Sequence, residues 1–332
     1  SDPQSIAYCT GYYNDPHERM FVFMISKHGN HTLFMNDLFY LDHDLDVNIV
    51  WHKDGQDAIQ TIVDEMHFPG RIGIDKNWAS HFLLDLMKKL PDAKYINASP
   101  CVDLVRMKKD LQEQVLMIES SKINDAVMEE IIPFIQEGVT EKQLAKKLDE
   151  LFFNHHSTCY GAIVAFGKNA ADPHHENDDT LLRKGDCVLI DMGCVYKGYC
   201  SDMTRTFFYE GILEEEIKVY EIVKKANEAA EAMIKPGVKL SDIDKCARKV
   251  ISDEGYGKYF THRLGHFIGR DVHEYGDVSS VNEMEVEEGM IFSIEPGIYL
   301  EGNFGVRVED LVMVTKDGCQ VLNSFTKDIY II

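Results

Sequence analysis

The stretch Thr261–Glu274, THRLGHFIGRDVHE, carries histidines at 262, 266 and 273. Gly265 and Gly269 interrupt it, which argues against a regular helix. An extended or turning backbone that something bound can approach closely fits better. Neutral imidazole is a common metal ligand and a common proton carrier. Four acids offer the oxygen ligands that would complete such a site. Asp191 ends the apolar run of CVLIDMG, and Asp202 lies in GYCSDMTRTFF, beyond a hairpin turn at Lys197-Gly198. Glu295 lies in MIFSIEPG, closed by Pro-Gly, and Glu309 lies in VRVEDLVMV, the strand after a Gly-Asn turn. A carboxylate among apolar strand residues is costly unless it is paired or binds a cation. One such acid would read as a salt-bridged structural residue, and His266 alone as a core histidine. Four acids and a histidine together ask for a shared cause, a bound metal.

The elements that must position these side chains occur twice. LRKGDCVLIDMGCVYKG and VEEGMIFSIEPGIYLEG superimpose, with Gly185, Asp191, Gly193 and Gly198 matching Gly289, Glu295, Gly297 and Gly302 at an offset of 104 residues. Upstream, Gly138 matches Gly237 and His174 matches His273 at an offset of 99. Each copy reads as Gly-Val, a helix, a His-bearing strand, then an acid-bearing strand and a hairpin. This is the signature of a duplicated half-domain whose halves point acids and histidines at a common centre.

Composition narrows the function classes. The 332 residues, 45% of them hydrophobic, suffice for one large or two ordinary domains. The net charge of −22 disfavours nucleic acid and anionic membrane surfaces as partners. There is no apolar run long enough to span a bilayer and no signal peptide. Eight cysteines are scattered without a CxxC, and read as reduced core thiols of a cytoplasmic protein.

Residues 1–102 alternate short strands (20–25, 32–35, 71–74) with helices (57–66, 79–89), an α/β pattern. Their abrupt opening suggests that this domain lacks its first strand and helix. Asn97–Pro100 reads as the boundary, followed by one long amphipathic helix over 104–136 with Leu111, Val115, Ile118, Ile123, Val127, Ile131 and Phe134 at helical spacing. Thr140 and Gln143 form a capping box for the next helix, to about Phe153, whose mate in the second half starts at Ser241. A further helix spans 214–234, ended by Pro236-Gly237.

IDMG, GYCSDMTRTF, HRLGHFIGRDVHE, EPGIY and GVRVED resemble the signature blocks of the pita-bread metallopeptidases, which include methionine aminopeptidases, aminopeptidase P and prolidase. HRLGH looks like the proline-specific branch, and GYYNDPHER resembles the same region of bacterial Xaa-Pro dipeptidases. Phe267, where the family often has glycine, and His175-Glu176 depart from the pattern without removing a ligand. The resemblance implies an α+β protein: an N-terminal creatinase/prolidase-like α/β domain (1–102) and a catalytic pita-bread domain (103–332) with a pseudo-twofold curved antiparallel sheet.

It also implies roles. Asp191 would chelate one metal, Asp202 and Glu309 would bridge two, and His266 and Glu295 would complete the second. An oxygen-rich set with one imidazole suits Mn²⁺, with Co²⁺ or Zn²⁺ as alternatives. Two ions roughly 3.5–4 Å apart can activate a shared water against the Xaa-Pro carbonyl. Glu295 would carry the proton, and His273 and His174 would stabilise the oxyanion. His262 and Arg307 read either as substrate contacts or as support for the ligands. His17 and Arg19 read either as an exposed charged turn or as partners of the substrate carboxylate, closing the pocket to a third residue. The expected reaction is hydrolysis of Xaa-Pro dipeptides by a homodimer. Aminopeptidase P activity on longer peptides and a non-catalytic binding protein of the same fold are the alternatives.

Overall fold

The computed structural model describes residues 1–27, 29–66 and 70–332. By internal contacts the chain divides into Ser1–Arg106 and Met107–Ile332. The division falls just before Met107, the last residue of the helix Pro100–Met107. Arg106 explains this, because its Nη1 donates to Asp2 Oδ2 (3.4 Å) and Ser5 Oγ (3.1 Å) and ties that helix to the first unit.

In the first unit, Val22–Met24 pairs antiparallel with Thr32–Asn36, which pairs in parallel with Asn48–His52. Arg71–Ile74 and Lys94–Asn97 are parallel, and the helix Ser80–Lys89 lies between them in sequence. The expected alternation is present. The opening segment is itself a helix, Pro3–Thr10, capped by Asp2, whose side chain accepts from Ser5 N–H.

The second unit opens with a helix over Leu111–Ile131, so the single helix expected over 104–136 is two. Asp110 starts the second one: its Oδ1 accepts the amides of Gln112 and Glu113, while Glu113 Oε2 accepts Asp110 N–H, a reciprocal cap. The buried face matches the expected one at Val127 and Ile131 and differs from it in the first turns. Leu111 and Val115 are exposed, whereas Met117, Ser120, Ser121, Asn124, Val127, Met128 and Ile131 are buried. Small polar residues serve here because the helix lies on strand ends: Ser120 Oγ donates to Tyr199 O (3.2 Å) and Asn124 Nδ2 to Met192 O (3.0 Å).

The duplication is visible in the elements. Glu141–Asn154 and Leu240–Asp253 are matching 14-residue helices. In the first half, Cys187–Met192 lies between Ile163–Phe166 and Met203–Phe208, all antiparallel. In the second, Asp310–Val314 lies between Ile291–Ile294 and Cys319–Val321. Each half carries a hairpin, Cys194–Tyr196 with Tyr199–Cys200 and Gly297–Leu300 with Phe304–Arg307. Lys197 and Gly198 both take positive φ (48° and 83°), the two-residue turn whose twist matches paired strands. Arg205, 1% exposed, joins the halves. Its guanidinium donates to Glu309 O (2.6 Å), Thr326 O, Phe325 O and Asp310 Oδ1 (2.7 Å). Asp310 in turn pairs with Lys327 at 2.8 Å.

Candidate metal centre

Each predicted acid is fixed by its backbone before its side chain acts. Asp191 lies in the central strand of the first half, in register with Thr204 and Ile163. Asp202 immediately precedes the next strand, Met203–Phe208. Glu295 follows Ile291–Ile294, and its N–H donates to Leu264 O (2.8 Å), joining it to the histidine stretch. Glu309 occupies the break between Phe304–Arg307 and Asp310–Val314, and its N–H donates to Thr204 O (3.1 Å) across the two halves.

His266 faces these acids. Its Nε2 lies 3.6 Å from Asp202 Oδ2 and 3.7 Å from Glu295 Oε1. Its Nδ1 lies 3.2 Å from the Phe267 carbonyl, which holds a proton there and turns Nε2 to the acids. Asp202, His266 and Glu309, all buried, each offer a ligand atom within 4.8 Å of the others. The glycines beside His266 are filled by protein, contrary to the expectation of space for something bound. A Cβ on Gly265 would lie 1.9 Å from Ser293 O, and one on Gly269 would meet Glu274 and Lys109.

The charges do not balance within the protein. Burial first, and then Asp202, Glu295 and Asp191, push the Glu309 carboxyl well above the usual range. Burial raises Glu295 to about 7 against the pull of His266 and Arg307. Asp202 is also raised, burial outweighing the His266 hydrogen bond. Burial opposes protonation of His266, but Asp202 and Glu295 outweigh it and move that pKa up. Four carboxylates thus face one guanidinium and one imidazole, an excess of negative charge that divalent cations would neutralise. The donor set fits hard or borderline cations held mainly by oxygen.

Arg307 is spent on holding the site. Its Nη2 donates to Asp191 Oδ2 (2.6 Å), its Nε to Thr204 Oγ1 (3.1 Å) and its Nη1 to Tyr299 OH (2.9 Å). Thr204 Oγ1 in turn donates to Glu309 Oε2 (2.6 Å). Tyr299, receiving from Arg307, donates its own proton to His262 Nε2 (2.8 Å), while His262 Nδ1 donates to Arg263 O (2.7 Å). Both nitrogens of His262 are therefore engaged. Burial, with Arg307 nearby, lowers its pKa to about 4 and keeps it neutral. The ring of His273 stands edge-on to His266 with centroids 4.3 Å apart. Burial, then His266 and Arg263, push its pKa down. His174 is exposed and sits in a turn, not on the strand expected for it; Asp172-Pro173 interrupts the chain and Asp172 Oδ1 accepts His174 N–H (3.1 Å). A proton on it would disfavour protonation of both His262 and His273, its neighbours along the histidine rim.

His17 and Arg19 lie in the first unit. His17 is exposed with φ 50°, and Arg19 binds Asp54 through Nε (3.0 Å) and Nη2 (2.9 Å). Four contributors escaped the sequence reading. Tyr299 and Thr204 link Arg307 to the acids, and Ser293 Oγ donates to Glu295 Oε1 (3.3 Å). Tyr160 OH donates to Ser201 O (2.8 Å) beside Asp202. The second half signalled two of them, since Tyr299 closes EPGIY and Ser293 alternates with Glu295. Thr204 needed the register with Asp191.

The chain is similar to known proteins in sequence and in fold. Residues 115–316 match the model of metallopeptidase family M24, and residues 1–108 that of the creatinase/prolidase N-terminal domain. An uncharacterised peptidase of Staphylococcus aureus (strain bovine RF122 / ET3-1) is 35% identical over 334 residues, covering 98% of this chain and 93% of its own. A dipeptidase from Pyrococcus horikoshii OT3 superposes with a TM-score of 0.93 at 35% identity, covering 100% of this chain and 94% of its own. A prolidase from Thermococcus sibiricus gives a TM-score of 0.92 at 33% identity, covering 98% and 92%.

Proposed function

We propose, for a chain that belongs to metallopeptidase family M24, that it hydrolyses Xaa-Pro dipeptides and releases proline. In this reading two divalent ions, Mn²⁺ before Co²⁺ or Zn²⁺, are held by Asp191, Asp202, His266, Glu295 and Glu309. The observation that carries it is the cluster of buried carboxylates turned to His266 Nε2 with too little positive charge to balance them. Bound there, such ions supply Lewis acidity toward the scissile carbonyl and lower the pKa of water.

The protein's own groups do the rest. Glu295 moves the proton through Oε2, because Oε1 faces His266 and accepts the Ser293 hydroxyl. His273, kept neutral, donates an N–H to the oxygen that becomes negative, and His174 assists from the other side of the rim. His262, with both nitrogens engaged, offers its ring face to the proline ring rather than a charge. Arg307 is likewise committed to Asp191, so the substrate carboxylate needs another cation. His17 and Arg19 are proposed for that role on the strength of their resemblance to dipeptidases.

The test is hydrolysis of a panel of Xaa-Pro, Xaa-Pro-amide and Xaa-Pro-Yaa peptides by chelated and Mn²⁺-reloaded protein. The reading expects cleavage only after reloading and a preference for the free carboxylate. Equal cleavage of the longer peptides would reassign the protein to aminopeptidase P activity. Undiminished cleavage with no metal bound would remove the metal reading.

A further inference from the structure

We propose that Lys109, which lies outside the metal ligands, is a positioning residue for His273 and acts through Glu274; the inference rests on the catalytic role given above to His273. Lys109 Nζ lies 2.9 Å from Glu274 Oε2, and the two side chains are 1% and 5% exposed. The same carboxylate accepts Arg270 N–H at Oε1 (2.9 Å), and Glu274 N–H donates to Phe267 O (2.8 Å). A Cβ on Gly269 would lie 2.7 Å from Glu274 Oε1 and 2.8 Å from Lys109 Cε. The ion pair therefore fills the inside of the turn that separates His266 from His273. Gly269 is glycine because the pair occupies the space a side chain would need.

Lys109 is itself anchored from outside that turn. Its N–H donates to Gly289 O (2.8 Å), and its carbonyl accepts Gln114 Nε2 (2.8 Å). The ammonium is thus fixed against the helix start and against the segment leading to Glu295. The backbone amides of the metal ligands have partners outside the turn, His266 N–H to Ser293 Oγ (3.0 Å) and Glu295 N–H to Leu264 O (2.8 Å), while the Phe267 carbonyl serves both His266 Nδ1 and Glu274 N–H.

A carboxylate removed from water needs a cation or a proton. Without Lys109, Glu274 loses this cation and the turn loses one of the two side chains that fill it. His273, its chain neighbour, then loses its fixed distance from the reacting carbonyl. Displacements on the order of 1 Å can cost about a hundredfold in rate.

The test compares Lys109→Met, Glu274→Gln and the double variant, each reloaded with metal, on the best substrate of the peptide panel. Lys109→Met should lower kcat roughly ten- to a hundredfold with KM and bound metal near wild type. It should also lower the thermal midpoint. The double variant leaves no buried charge unpaired, so its midpoint should recover while kcat stays low. If Lys109→Met does not accumulate as folded protein, the double variant carries the kinetic comparison. In a His273→Ala background, adding Lys109→Met should lower kcat less than about twofold further. A wild-type kcat in the metal-loaded double variant overturns the inference, as does a full additional loss in the His273→Ala background. A wild-type kcat for His273→Ala alone would instead overturn the catalytic assignment on which the inference stands.

Discussion

The two halves of the catalytic unit share a frame and differ in what they put on it. Each offers one acid at the end of an apolar strand and one beyond a hairpin, Asp191 with Asp202 and Glu295 with Glu309. The second half alone adds an imidazole to the cluster. At the offset of 99, the position of His266 corresponds to Gly167, which takes φ +51° and has Asp186 packed against it. The rim histidines diverge as well. Both are exposed, but the ring of His273 stands edge-on to His266 with centroids 4.3 Å apart. Each is followed by a residue held by a partner from elsewhere in the chain, but the partners differ: His175 meets Glu141 at 2.6 Å, and Glu274 meets Lys109 at 2.9 Å. Duplication supplied the scaffold and the repeated acids; the chemistry became asymmetric because each half's loop is held from a different place.

If the halves serve one centre, losing Asp202 or Glu309 should be equally severe. Asp202→Asn and Glu309→Gln should each lower kcat/KM roughly 10³-fold or more and reduce bound metal. Full activity with unchanged metal content in either variant would break the picture of a shared site. The rim should show the asymmetry. His273→Ala should cost kcat roughly 10²–10⁴-fold with metal retained, and His174→Ala only about tenfold. His266→Ala should lose metal as well as rate, and equal kinetic losses at His174 and His273 would erase the distinction.

A third test uses pH on metal-free protein. Glu295 is raised from 4.5 to about 7, so between those values the folded state holds a proton that the unfolded state has released. Stability of the metal-free protein should therefore fall as pH rises through that window, and metal should abolish the slope. Urea midpoints that rise over the same range without metal would contradict the electrostatics described here. The smallest effect concerns the helix starts. Thr140 accepts Gln143 N–H (3.1 Å) and Gln143 answers at Thr140 N–H (2.9 Å), whereas Lys239 at the matching start makes no side-chain cap. Thr140→Ala should cost about 1 kcal/mol and Lys239→Ala less than about half of that, by chemical denaturation.

What was legible followed from cost. A charge in an apolar run must have a cause, and that exposed Asp191, Asp202, Glu295 and Glu309 without any knowledge of contacts. The alternating elements of the first unit and the Thr140 cap were readable from local chemistry. Supports such as Thr204, Tyr299 and the Lys109–Glu274 pair were not, because they depend on which strands and turns meet. Lys109 and Glu274 are 165 residues apart. The helix break at Asp110 had a local signal in Asp110 and Glu113, but the regular spacing of Leu111 and Val115 masked it. Apolar spacing found Val127 and Ile131 but missed the buried face of the first turns, since a helix laid over strand ends buries hydroxyls and amides that satisfy their carbonyls.

Arg205 has a consequence for the order of synthesis. It lies in the first half, yet four of its acceptors, Glu309 O, Asp310 Oδ1, Phe325 O and Thr326 O, are made more than a hundred residues later. A nascent chain that has reached only the first half holds a guanidinium with nowhere dry to go, so the strand Met203–Phe208 cannot settle as it does in the finished molecule. Despite their repeated architecture, the halves should not fold independently. Stalled nascent chains should resist protease only once residues 324–327 have left the ribosome, and protection at the end of the first half would refute this.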